Sequence, residues 1–483
     1  MRRLLPRCLW YGLVAIVLTA SLFPASAAAQ STRLNVVYFL VDNLGMGELS
    51  AYSGGPLRGV STVRIDDLAK EGMMLLNFAP EAQCTPSRSA LMTGRYAIRS
   101  GTQTVALAGS HGGLVKWERT LGDIFSAAGY ATAIVGKWHI GDAAGRWPTD
   151  HGFDEWYGIP RSYDESLWPE DPWYDPKRDP VTRVLAGRKG QPVQALEQLT
   201  ITVRRDIDVE YMKRAKAFLK RSTDAGKPFF LYFNHSLMHF PTIPRTEFKG
   251  KTGHGDWADC LLELDTDFGT LLDSLKQLGV ADNTIVVFSG DNGPEELLLW
   301  RGTAGYFEGS YFTGMEGSLR TPALVRYPGH VPAGQKSNEI VHITDMFTTL
   351  VLWAGLEAPK DRIIDGVDQR VFFEGKRAKS NREGFPYWLN SDLYGVKWQN
   401  FKMVLVEQKT LTDPALSLPT PHLINLDTDP KERGPVDYPY IHTWVLEHVG
   451  KILLDYRESV KREPLIPVDA PLDYVPKATE PRN

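Results

Sequence analysis

The sequence predicts an α/β fold, a mainly parallel central sheet sandwiched by helices, followed by a smaller C-terminal antiparallel α+β subdomain. Three observations carry this. Between residues 34 and 290, short apolar runs rich in β-branched residues alternate with amphipathic helical stretches, the order of an α/β sandwich. Two of these runs end in Asp-Asn pairs, and parallel sheets place their ligands at the carboxyl ends of strands. After about residue 375 the helical periodicity gives way to closely spaced strand-like segments.

Taken in order, the chain begins with a segment that does not belong to the fold. Arg2, Arg3 and Arg7 precede an apolar run over 9–23 and a small-residue stretch over 24–29, the pattern of a cleaved signal peptide. The run is shorter than the ~20 residues of a membrane-spanning helix. The uninterrupted apolar segment 34–41 predicts a buried parallel strand and leads into Asp42-Asn43. A helix is expected over 120–128 and a strand over 130–135. A further helix is marked by Ile207, Tyr211, Ala215, Phe218 and Leu219, and a strand follows at 229–233. The long amphipathic pattern 256–278 predicts a helix, and 284–289 a strand that ends before Asp291-Asn292. Short strands follow at 385–388, 394–398, 401–406 and 422–426. A helix then aligns Val445, Val449, Ile452, Leu453, Tyr456 and Val460 on one face. The expected division is a signal over 1–29, a catalytic α/β domain over 30–375, the subdomain over 376–463 and a proline-rich tail without regular structure over 464–483. Residues 168–180, rich in Pro and Trp, read as a surface loop that walls a cleft or simply covers the surface.

Composition narrows the function. Of 483 residues, 43% are hydrophobic and 23% charged, which excludes a disordered or collagen-like chain. With 54 basic and 58 acidic residues the net charge is −4, so no general basic field draws the protein to nucleic acid. Signal cleavage removes three arginines and no acid, making the mature chain more acidic. No later segment is apolar enough to insert stably in a membrane, and the expected location is exported, periplasmic or extracellular. Of three cysteines Cys8 leaves with the signal; Cys260 lies in an amphipathic helical pattern and reads as a small core residue. The sequence carries no readable oligomeric state.

Four polar clusters carry the chemistry. Asp42-Asn43 and Asp291-Asn292 offer hard oxygen ligands suited to Ca²⁺ or Mg²⁺, although either pair alone is also a common turn sequence. The third is Cys84-Thr85-Pro86-Ser87-Arg88, continuing through Gly94-Arg95. The fourth is Gly129-Tyr130-Ala131-Thr132-Ala133-Ile134-Val135-Gly136-Lys137-Trp138-His139. At these residues the chain resembles the sulfatase family. The pentapeptide at 84–88 matches the signal that a dedicated formylglycine-generating enzyme reads to oxidise the cysteine to Cα-formylglycine, and 129–139 matches the family's second signature. The resemblance continues through Thr149-Asp150-His151-Gly152-Phe153-Asp154 and Asp291-Asn292-Gly293-Pro294-Glu295 to Leu426-Asp427-Thr428-Asp429-Pro430-Lys431-Glu432. Gly158-Ile159-Pro160-Arg161-Ser162 and His239-Phe240-Pro241 are similar to the arylsulfatase A branch.

The resemblance implies an alkaline phosphatase-like fold, one divalent cation with Ca²⁺ favoured over Mg²⁺, and hydrolysis of a small-molecule or glycan sulfate ester. A thiolate is a soft ligand beside hard oxygen donors, whereas a hydrated aldehyde puts an oxygen there that can attack sulfur. By motif position, Arg88 holds the formylglycine hydrate at residue 84, Lys137 contacts the sulfate, His139 is the base of the second step and His239 the acid for the leaving oxygen. Ser162 hydrogen-bonds near the hydrate or the sulfate, and Asp42, Asn43, Asp291 and Asn292 join residue 84 around the cation. His235 competes with His239 if that segment is helical. Two positions depart from the family. Asn43 stands where Asp is usual, and Tyr311 stands where a second sulfate-binding Lys is expected, nine residues before Arg320 of Glu316-Gly317-Ser318-Leu319-Arg320. The expectation is that they compensate, with Tyr311 as a neutral donor in the substrate pocket. Two other readings stay open at this point: a phosphonate monoester or phosphodiester hydrolase of the same superfamily, and a catalytically silent binding protein.

Overall fold

The computed structural model describes residues 33–297, 299–436 and 442–477; the expected signal 1–29 and the last residues of the tail lie outside these. The strands of the main sheet are β1 (Asn35–Val41), β2 (Met73–Ala79), β3 (Ala131–Val135), β4 (Glu155–Gly158), β5 (Arg183–Arg188), β6 (Gln194–Gln198), β7 (Phe229–His235), β8 (Thr284–Gly290), β9 (Thr321–Arg326), β10 (Gln335–Ser337) and β11 (Val341–His342). Their order is β10-β2-β9-β8-β1-β7-β3-β4-β5-β6, with β11 also paired to β2. The five central strands β8, β1, β7, β3 and β4 run parallel, as expected. β9 was not foreseen: it runs antiparallel between β2 and β8 and so brings the loop that precedes it back over the carboxyl end of β8.

Every residue of β1 is buried, because both faces of the sheet are covered. Val37, Phe39 and Val41 face a core built with Ile65 and Leu68 of α1 (Val63–Glu71) and, on the next helices, α2 to α5, with two of them. Of these, α2 is Cys84–Thr93, α3 Leu121–Ala127, α4 Ile201–Asp224 and α5 Asp256–Gln277; the contacts on this face come from Ile207, Tyr211 and Phe218 of α4 and Leu264, Phe268 and Leu271 of α5. Val36, Tyr38 and Leu40 point the other way, toward Leu91 of α2, Phe125 of α3 and Phe347 and Leu350 of a later helix. This is the two-residue alternation of a strand with helices on both sides. Cys260 is buried on α5, as expected of a core residue. Residues 168–180 are largely exposed, with Trp173 85% accessible, and the stretch begins inside a 3₁₀ turn, Tyr163–Glu170.

Three further helices follow: α6 (Glu316–Leu319), α7 (Ile343–Trp353) and α8 (Arg370–Phe373). Then come the antiparallel strands β12 (Gly384–Leu389), β13 (Asp392–Trp398), β14 (Phe401–Glu407) and β15 (Leu416–Asn425), and α9 (Thr443–Arg462). Val445 and Val449 of α9 pack on Val396, Trp398, Phe401 and Met403, and Tyr456 lies 5.0 Å from the Trp388 ring. A fully buried ionic cluster joins this sheet to the main body. Lys397 Nζ lies 2.6 Å from Glu316 Oε2 and donates to Asn77 Oδ1 (2.8 Å); Glu316 also pairs with Arg320 (2.8 Å), and Lys402 with Glu432 (2.8 Å). The tail has no helix or strand through residue 477, yet it is held down. The Ile466 N–H donates to Arg99 O (3.0 Å) and the Lys116 N–H to Leu472 O (2.9 Å).

Candidate active site

Strand pairing builds the site. β1 and β8 are parallel neighbours with Val41 opposite Gly290, so Asp42 and Asp291 leave the sheet side by side. The Asp291 N–H donates to Val41 O (3.1 Å), and the Asn43 N–H donates to Asp291 Oδ1 (3.1 Å). Asn43 sits in the left-handed region at φ 60°, which asparagine tolerates better than other branched side chains. β3 ends at Val135, and Gly136, at φ 114°, makes the turn that delivers Lys137; a Cβ there would stand 2.2 Å from Asn234 O. The segment after β7 supplies His239. Four strand ends thus converge on one point.

The N-terminus of α2 closes it. Cys84 is the first residue of this helix, and all ten of its residues are buried. Pro86 is tolerated because the first-turn N–H groups need no helical partner. Cys84 Sγ lies 3.4 Å from Asp42 Oδ1 and 3.8 Å from Asn43 Oδ1. One turn on, Arg88 bridges the two aspartates: Nη2 is 3.1 Å from Asp42 Oδ2 and Nε 3.0 Å from Asp291 Oδ2. Its Nη1 donates to Lys137 O (2.9 Å), and Lys137 Nζ lies 2.7 Å from Asp42 Oδ2.

The protonation pattern follows from this packing. Burial alone would push Asp42 up, but Lys137, His239 and Arg88 hold its carboxyl well below the usual carboxylate range. Burial and the Asp42 charge push Asp291 up to about 7. Burial, then Asp42, pushes the Cys84 thiol well up, so the unmodified residue is a neutral thiol at neutral pH. Burial lowers His239 to about 4. Its Nδ1 lies 2.6 Å from Phe240 O, which can only accept, so Nδ1 carries the proton and Nε2 receives the Ser162 hydroxyl at 3.1 Å. His139 is fixed the opposite way. Nε2 donates to Ala106 O (3.0 Å), leaving a buried Nδ1 with no protein partner, while burial, with Lys137 and Arg88, keeps the ring neutral.

Asp42, Asn43, Cys84, Arg88, Lys137, Asp291, Asn292, Ser162 and His239 therefore lie in one linked cluster, with His139 beside it through Thr85, whose hydroxyl donates to His139 O (2.8 Å). His235 does not join them. It lies on β7 with Nε2 3.2 Å from Asp267 on α5, which leaves His239 as the histidine of the site. Asn43 Nδ2 donates to the carboxylate of Glu295, and burial, with Asp42 nearby, pushes the Glu295 carboxyl up. Glu295 was missed by sequence reasoning, although it lies only four residues beyond Asp291 in the same loop. Tyr311 is anchored beside this loop, its N–H donating to Pro294 O (3.0 Å), and burial, with Glu295 and Cys84 nearby, pushes its hydroxyl up; the side-chain partners of Asn43, however, are Glu295, Asn292 and Cys84.

The donors suit a hard cation. Asp42, Cys84 and His239 present ligand atoms within 4.8 Å of one another, Asn43 Oδ1 lies beside Cys84, and Asn292 Oδ1 is buried without a hydrogen-bond partner. Apart from the sulfur and the imidazole these are oxygen donors.

A mainly parallel α/β sandwich with this charged cluster at its strand ends puts the site where such sheets bind their ligands. The family model described as Sulfatase matches residues 34–356, and the chain belongs to the sulfatase family. A second model, described as N-sulphoglucosamine sulphohydrolase, C-terminal, matches residues 302–437. The chain is 32% identical to N-acetylgalactosamine-6-sulfatase of Sus scrofa, over 94% of this chain and 90% of that one. It is 31% identical to arylsulfatase A of Bos taurus, over 86% and 85%. A crystallised sulfatase from Pseudoalteromonas sp., PsFucS1, superposes with a TM-score of 0.83 at 29% identity, covering 92% of each chain. The protein is a sulfuric ester hydrolase, which sets aside the silent binding protein. No helix of the described residues is long and apolar enough to cross a membrane.

Proposed function

We propose that the protein is an exported sulfatase that cleaves aryl or carbohydrate sulfate esters with residue 84, matured to Cα-formylglycine, as its nucleophile. The observation that carries this is the seat of Cys84: at a helix N-terminus, 3.4 Å from Asp42 and one turn from an arginine shared by two aspartates. A neutral thiol there is a poor nucleophile, whereas the hydrated aldehyde offers two hydroxyls in the same place. Asp42, Asn43, Asp291 and Asn292 would hold the cation with residue 84, calcium being favoured by the oxygen set. Such an ion would lower the pKa of a hydroxyl held beside it and polarise the ester.

The chain's own residues do the rest. Arg88 and Lys137 offset the charge of the transferring sulfate, and their shared hold on Asp42 keeps both in register before substrate arrives. Attack of one hydroxyl on sulfur breaks the bond to the ester oxygen. His239 Nε2, unprotonated at rest and aimed by the Phe240 carbonyl on its other nitrogen, takes the attacking hydroxyl's proton and passes it to that oxygen, with Ser162 as its partner. His139 Nδ1 accepts the proton of the second hydroxyl, whose collapse to the aldehyde releases sulfate. Tyr311 lines the pocket as a neutral donor. Two of the similar relatives are named for a sugar sulfate and for aryl sulfates, so both ester classes belong in the test. Residues 1–29 would be removed during export.

Mass spectrometry of the peptide containing residue 84, from protein made with a formylglycine-generating enzyme, tests the nucleophile. The expected result is an aldehyde, followed by turnover of aryl or sugar sulfates above phosphate diesters and phosphonates. An unmodified thiol in fully active enzyme would overturn it.

A further inference from the structure

We propose that Glu295 is a positioning residue that sets which atom of the Asn43 amide faces the cation, and so lets a neutral amide serve at a position where the family usually has aspartate. The inference rests on the cation site proposed above. An amide can present its oxygen or its nitrogen to a ligand, and only the oxygen binds a hard cation. Here the choice is made by the surroundings. Asn43 Nδ2 donates to Glu295 Oε1 while the other carboxyl oxygen accepts the Phe240 N–H, and this turns Asn43 Oδ1 toward Cys84 Sγ at 3.8 Å. The same Oδ1 receives Asn292 Nδ2 (2.5 Å), so the second amide takes its register from the first.

Glu295 is itself held. Its other oxygen accepts the Phe240 N–H (3.0 Å), and the side chain is fully buried. Both oxygens are thus engaged by N–H donors, and the residue acts through Asn43 rather than as a ligand. Gly293 permits this placement. Its absent side chain lets the loop after β8 press against α6, where a Cβ would stand 1.8 Å from Gly317 O. The Asn43–Glu295 pair is therefore a donor–acceptor couple with a fixed polarity, and it can be reversed by exchanging the two side-chain types. Partners that orient metal ligands typically contribute 10–100-fold in affinity.

The test is an exchange cycle on the mature enzyme, with calcium withdrawn stepwise by a chelator and free calcium read with an indicator, alongside kcat and KM. Asn43→Asp alone sets two carboxylates against each other, and Glu295→Gln alone offers one acceptor where two donors converge. Each single change should raise the calcium dissociation constant about 10-fold or more. Asn43→Asp with Glu295→Gln restores the hydrogen bond with its donor on the other side and should return affinity to within about three-fold of the starting enzyme. Additive effects in the double variant would overturn the proposal, as would unchanged calcium affinity in Glu295→Gln. If a single variant fails to fold, recovery of a folded, calcium-binding double variant still supports the coupling, and failure to recover overturns it. An unsubstituted enzyme that takes up no calcium overturns the cation reading itself, whereas normal uptake with indifferent variants overturns only the role of Glu295.

Discussion

Two buried charge clusters, one around Cys84 and one between the sheets, look alike in composition and differ in closure. Between the sheets, Glu316 meets Lys397 and Arg320, and Lys402 meets Glu432, so each charge has an opposite charge within 2.8 Å. Around Cys84, Arg88 and Lys137 converge on Asp42, while Asn292 Oδ1 and His139 Nδ1 remain buried without a partner. In the first cluster the two atoms left without a hydrogen bond, Glu316 Oε1 and Lys402 Nζ, face each other at 3.5 Å as an opposite-charge pair, so the cluster balances internally and fastens two layers. The second is pre-organised but incomplete, and its unpartnered atoms surround the position where chemistry takes place. Burial of charge and some unfilled hydrogen-bonding capacity are common to both; what separates the site from the clasp is that its spare atoms are acceptors with no donor opposite them.

The contrast breaks most sharply if Cys84→Ala is made. Sulfate ester hydrolysis should fall by at least about 10⁴-fold. The melting temperature should change little, since among the described residues the thiol's hydrogen-bond partners are Asp42 and Asn43. Next in size, Lys137→Ala should lower kcat about 10²–10³-fold in a steady-state assay, with Asp42 still held by Arg88. The clasp should respond in the opposite currency. Glu316→Gln removes the buried anion shared by Lys397 and Arg320 and should cost about 3–5 kcal/mol in denaturant unfolding. A large loss of kcat at a temperature where that variant is folded would erase the distinction.

The smallest effect is one of pH. Burial, then the nearby Arg320 guanidinium, hold the Lys397 amine down to about 7, far below the ~10.4 of an unfolded lysine. Below pH 7 both states bind the proton, and this residue's contribution is at its least favourable. Between about 7 and 10 the unfolded chain keeps a proton that the folded one lacks, so raising the pH favours the fold. Melting curves across that window should show the trend, and Lys397→Met should flatten it.

Much of this was legible in the sequence, for a physical reason. β1, β7 and β8 are covered on both faces and so read as unbroken apolar runs, and the motifs follow directly at their carboxyl ends. α2 was harder to see as a helix, because its ten residues are buried all round, with polar ones such as Thr85, Ser87, Arg88 and Thr93 enclosed like the apolar ones, so no exposed face marks a period. The hairpin β5–β6 was missed for the reverse reason: β6 is mostly exposed and has little apolar signal. Asn43 and Tyr311 stood out as departures, but the pairing of Asn43 with Glu295 spans 252 residues and depends on how two loops meet. Sequence spacing placed Asn43 at a strand end without showing which partner it would find.

The complete burial of α2 also dictates a schedule. No modifying enzyme can grip the backbone around residue 84 once its ten-residue helix is enclosed, so any conversion of that thiol belongs to the unfolded chain. The chain allows time for it. Asp291, which locks Arg88 from the other side, lies 203 residues later, roughly 10–40 s of synthesis at ordinary elongation rates. The tail that pins Arg99 and Lys116 emerges last of all. Topology thus acts as a clock, holding the pentapeptide open until the strands that will bury it have been made.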